Sequence, residues 1–135
     1  MTYTSIISAS AITLLVLYMI YISTGSEEGR KGVWVLPAGL SLLFLVYSIQ
    51  TIIAEGALGF WTQHTSSLWG TQIWVDLLIA IGIGWYFIIP KAKKLGMRTM
   101  PWVFIILASG CIGFLVMLAR MFYLEEKRSV HEAAV

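Results

Sequence analysis

A chain of 135 residues that is 59% hydrophobic and only 12% charged has about half the charge of an ordinary soluble domain, so a water-soluble globule is excluded. Six residues each of Trp, Tyr and Phe argue against disorder, and a lone cysteine, Cys111, rules out an intramolecular disulfide scaffold. The net charge of +2 sets nine basic against seven acidic residues, and the basic ones mostly punctuate apolar runs and never form a patch interleaved with exposed aromatics, so nucleic acid is not the expected partner.

In chain order, the first continuously apolar run covers residues 5–24. It exceeds a secretory h-region, and no Lys or Arg precedes it in Met1 to Ser10, so it is read as a retained helix. A polar turn, Gly25 to Gly32, leads to a second run at 33–54. The connection Glu55 to Gly70 holds Phe60, Trp61, His64 and Trp69 and reads as a segment lying at the headgroups. A third run, 71–90, ends in the basic turn Lys91 to Met100, and Pro101 suits the first turn of a fourth helix over 101–124. Residues 125–135 form a polar tail. Each run is long enough to cross about 30 Å of hydrocarbon at 1.5 Å per residue, and none alternates as a barrel strand does. The expected fold is all-α: a bundle of four transmembrane helices made of two helical hairpins.

Lys and Arg set the expected orientation. The first and third connections carry six against none in the N-terminus and the second connection. The positive-inside rule then puts both termini outside the cytoplasm of a bacterial inner membrane.

Ionisable side chains within lipid cost roughly 2.5–3.5 kcal/mol each at mid-membrane, which makes Glu55, Asp76 and Arg120 the leading clues. With four alternating spans, all three fall in one outer-leaflet layer. At 100° per residue, Asp76 shares a face with Ala80, Ile83 and Phe87, and Arg120 with Ser109, Gly113 and Val116. On the second span, Ser41, Ser48 and Glu55 recur at sevens as a polar stripe. Two readings stand: Asp76 and Arg120 as a structural ion pair, or Glu55, Ser48, Asp76 and Arg120 as an outward-facing ligand pocket under a Trp-rich lid.

His64 and His131 have too few companions for a metal site. Cys111 lacks a basic or histidine neighbour and reads as a core residue, and no cofactor is expected. The six tryptophans lie mostly near span ends, as interfacial anchors.

The run Val75-Asp76-Leu77-Leu78-Ile79-Ala80, the turn Lys91-Ala92-Lys93-Lys94-Leu95-Gly96-Met97-Arg98, then Trp102, Gly110 and Arg120 resemble a family of small bacterial integral membrane proteins, sometimes labelled terpene-cyclase-like. The likeness covers residues 74–122. Where that family has an acidic residue before the basic turn and a Pro-Leu pair in the last helix, this chain reads Ile89-Pro90-Lys91-Ala92 and Phe114-Leu115-Val116-Met117. The resemblance implies that Asp76, or Glu55, is a buried catalytic acid protonating an isoprenoid, with aromatics steadying the cation. A nearby Arg120 works against this, since a positive charge lowers a carboxylate's pKa.

The leading functional expectation is a non-catalytic binding, scaffold or accessory component that contacts membrane lipids and either self-associates or joins a larger membrane complex. An intramembrane enzyme acting on an isoprenoid or other lipid is the alternative. A transporter protomer ranks third, because no discontinuous helix of the paired, Gly- or Pro-broken kind that transporters use at midplane is expected.

Overall fold

A computed structural model describes residues 2–24 and 32–133; the expected polar turn, apart from Gly32, lies outside them. The described residues form helices only: α1 (Tyr3–Thr24), α2 (Val35–Glu55), α3 (Gly59–Thr65), α4 (Leu68–Lys94), α5 (Met100–Ser109) and α6 (Cys111–Ala133). Among them α1, α2 and α4 are long and apolar enough to cross a membrane, so this is an all-helical membrane protein. The chain divides into two compact units, Met1–Arg30 and Lys31–Val135.

In the first unit, α1 is apolar around its whole circumference, as a lipid-immersed helix is. Four of its hydroxyls find acceptors within the helix. Ser10, Thr13, Ser23 and Thr24 each donate to the carbonyl four residues back, at 2.8–3.0 Å. No neighbouring helix is needed to satisfy them.

The second unit is organised around α6. Trp34 meets Tyr123 edge-on at 5.7 Å, the Ser41 hydroxyl donates to the Ile112 carbonyl at 3.2 Å, and the Gly32 N–H donates to Glu126 Oε2 at 2.9 Å. Residue numbers rise along one helix as they fall along the other, so α2 and α6 run antiparallel. On the other side, a Cβ at Gly84 would meet the Phe114 ring, and Lys91 pairs with Glu125 at 3.3 Å. Both numbers now rise together. Thus α4 and α6 run parallel, with Ile88, Ala92, Met117 and Met121 in the core between them.

A parallel pair requires the chain to return between its members, and α5 makes that return. It starts beyond a tight helix end, where Met97 N–H donates to Ala92 O and Gly96 N–H to Lys93 O, both at 3.0 Å. Gly96 supplies the left-handed φ of 73° that this cap needs. Pro101 sits in the first turn of α5, as expected. Ile106 from α5 joins the same core.

The expected fourth span, 101–124, is not one helix. It breaks at Gly110, whose φ of 59° and ψ of −127° belong to glycine. The turn is sharp: a Cβ on Gly113 would lie 3.1 Å from the backbone carbonyl carbon of Ile105, whereas eight residues of straight helix rise about 12 Å. Ser109 holds the corner, donating to Ile105 O at 2.6 Å and accepting from Gly113 N–H at 3.1 Å. The expected fourth span is therefore discontinuous, and the described part of the tail is helical, continuing α6. The third helix also passes Pro90, where the expected span stopped. The lost N–H there removes one bond from the last turns, which the helix tolerates near its end.

Candidate functional site

The α2 stripe is present as a face. Ser41 is 4% exposed, the buried polar residue at the Gly110 corner. Ser48, two turns higher, is half-buried, and Glu55 at the end of α2 is exposed. Because α6 starts at Cys111, only the lower part of this stripe has α6 against it. Glu55 borders a shallow open recess with Gly56, Leu58, Gly59, Thr62 and Gln63, formed where the chain turns from α2 into α3.

The connection expected at the headgroups contains α3, which packs on the start of α4. Phe60 and His64 flank the Trp74 ring at centroid distances of 5.9 and 5.1 Å. His64 Nδ1 donates to Phe60 O at 2.5 Å, and Thr71 Oγ1 donates to His64 O at 3.1 Å. Ser67 caps α4 by accepting from Gly70 N–H at 3.0 Å. His64 is therefore held as part of an aromatic corner. Among the described residues no group of three His, Cys, Asp or Glu is placed to hold a metal.

Asp76 and Arg120 are not brought together. Ile81, Trp85, Ile88 and Ala92 mark the side of α4 that faces the core, and Asp76 is roughly 150° around the helix from their mean direction at 100° per residue. Its face is exposed throughout: Asp76, Ala80, Ile83 and Phe87. Arg120 lies between Met117 and Met121 along α6, which pack in the core with Ile88 and Ala92 of α4, so it is about level with residue 91. That is fifteen residues, roughly 22 Å of helix, from Asp76. The ion pairs among the described residues are Lys91 with Glu125 and Arg128 with Glu132. The single layer inferred from two antiparallel hairpins disappears because α4 and α6 are parallel. Arg120 is exposed near the basic end of the unit.

Sequence reasoning missed Lys91, Glu125 and Glu126 as the residues that tie α4 and α2 to α6. A signal existed: two carboxylates directly follow the last apolar run, opposite in sign to the basic turn. Chemically, neither Glu55 nor Asp76 has a side-chain hydrogen bond or ion pair among the described residues. Both carboxyls are exposed on the surface of the second unit.

No protein-family model, curated protein or solved structure matches the chain. Its role has to be read from its own side chains.

Proposed function

We propose that the chain is a non-catalytic accessory component of a bacterial inner-membrane assembly. The observation that carries this is Asp76, a carboxylate within the apolar helix α4 that faces away from the core of its own unit, with no cation paired to it among the described residues. Such a residue is costly against lipid, and buried or intramembrane charges are ordinarily paired.

Orientation follows from where the cations gather. Lys91, Lys93, Lys94, Arg98, Arg120, Lys127 and Arg128 all belong to the end joined by the Lys91–Glu125 pair. Arg30 and Lys31 directly precede Gly32, whose N–H is bound by Glu126 at that same end. With no Lys or Arg between Gly32 and Pro90, this end is cytoplasmic by the positive-inside rule. In this reading α1, α2 and α4 span the membrane. Ten residues of α5 cover about 15 Å, half the hydrocarbon, so α5 enters from the cytoplasmic side, turns at Gly110 near the midplane, and α6 returns. The N-terminus lies outside. The C-terminus lies inside, which revises the expectation of two external termini.

Native mass spectrometry of the protein extracted gently from its own membrane tests the accessory role. A stoichiometric second polypeptide is the expected result; a species carrying only lipid would overturn it.

A further inference from the structure

We infer that the Asp76 face of α4 docks a transmembrane helix of a different protein, and that this helix carries a Lys or Arg in its outer third that pairs with Asp76. The inference rests on the accessory reading above and specifies the partner's chemistry.

Depth comes first. Counting about 30 Å outward from Lys91 at 1.5 Å per residue reaches Thr71, so Asp76 lies five residues, roughly 7.5 Å, inside the outer boundary. A carboxylate on one methylene is too short to reach the headgroups as a long Lys or Arg does. The seam then has the form of a helix interface. Asp76, Ala80, Ile83 and Phe87 recur at four, three and four residues, the spacing by which one helix lines up against another. Ala80 admits a close backbone, while Ile83 and Phe87, 54% and 70% exposed, offer apolar area below the charge.

Charge identifies the occupant. A second copy in the same orientation brings its Lys and Arg only at the cytoplasmic end, about 22 Å from Asp76, holds its His64 against its own Trp74 and Phe60 O, and sets carboxylate against carboxylate. α1 has no basic side chain between Tyr3 and Thr24, so it supplies no counter-charge wherever it lies. The cation has to come from another polypeptide.

The test uses the full chain in its native membrane, with a benzophenone-bearing residue in place of Ile83. Irradiation is expected to trap one other membrane protein with a Lys or Arg in the outer third of a transmembrane helix. Asp76→Asn should cut the cross-linked yield at least about tenfold, while Asp76→Glu keeps most of it. Asp76→Lys should lose it and regain it when the partner's basic residue becomes Asp, which separates pairing from misfolding. Cross-links to a second copy, to lipid alone, or to a helix lacking that cation would overturn the inference. So would a yield insensitive to Asp76→Asn. A stoichiometric subunit seen by native mass spectrometry but cross-linked only through other faces would leave the accessory reading standing and remove this one.

Discussion

Replacing Gly110 by alanine distinguishes a broken from a straight final segment by the sign of a stability change. In a straight helix over 101–124, the substitution removes an interior glycine and should stabilise by about 0.8–1.0 kcal/mol. At the corner, φ of 59° and ψ of −127° strain any residue with a Cβ. That Cβ would meet no atom within 4 Å, so packing contributes nothing and the backbone alone costs about 1–3 kcal/mol. The two geometries therefore differ by roughly 2–4 kcal/mol in expected outcome. Unfolding of the purified protein by increasing SDS in mixed micelles, followed by far-ultraviolet circular dichroism, reads this directly. The expected result is a Gly110→Ala variant with normal starting helicity and a lower midpoint. A higher midpoint would refute the corner and, with it, the parallel arrangement of α4 and α6. Gly113→Ala probes the same corner through contact, since its Cβ would lie 2.7 Å from Ser109 Oγ and 2.9 Å from Ile105 Cγ2.

Three further outcomes are expected. In a Cys111→Ser background, single cysteines at positions 64, 94 and 130 should be labelled from outside only at 64; external labelling at 130 would contradict a cytoplasmic C-terminus. Ser41→Ala should cost about 0.5–1.5 kcal/mol in the same SDS titration, because it strips a buried hydrogen bond from the corner, whereas Ser48→Ala should stay within about 0.5 kcal/mol; equal losses would show that the hydrogen bond is not what matters. A double-mutant cycle of Asp76→Asn and Arg120→Gln should be additive within about 0.5 kcal/mol, as for two sites roughly 22 Å apart, and a larger coupling would restore the direct pair.

The long spans were legible because continuous apolar runs of about 20 residues have few other stable forms in water or lipid. The α2 stripe was legible for a similar reason: seven-residue spacing fixes a face whatever the partner, and Ser41 is buried on that face. Gly110 was not, because a glycine within an apolar run reads equally as a packing contact or a corner. Everything downstream depended on that choice. Placing Asp76 and Arg120 in one layer assumed that the last two spans alternate, and the chain's return through α5 puts them at opposite ends of α4's length. Helical phase alone could not say which side of Asp76's helix met the core, since its neighbours are apolar all round.

The corner at Gly110 also bears on how the protein is made. A straight final span would oblige the bilayer to pass Glu125, Glu126, Lys127, Arg128 and Glu132 to the far side, each at the cost of stripping its water. With a midplane turn they stay in the compartment where the ribosome releases them. The turn has to be sheltered from lipid, and the helices that flank α6, α2 and α4, are both synthesised before it. In the proposed topology the last segment would enter between helices already in the membrane, and its entry would require neither a further translocation step nor a hydrophobic stretch long enough to trigger one.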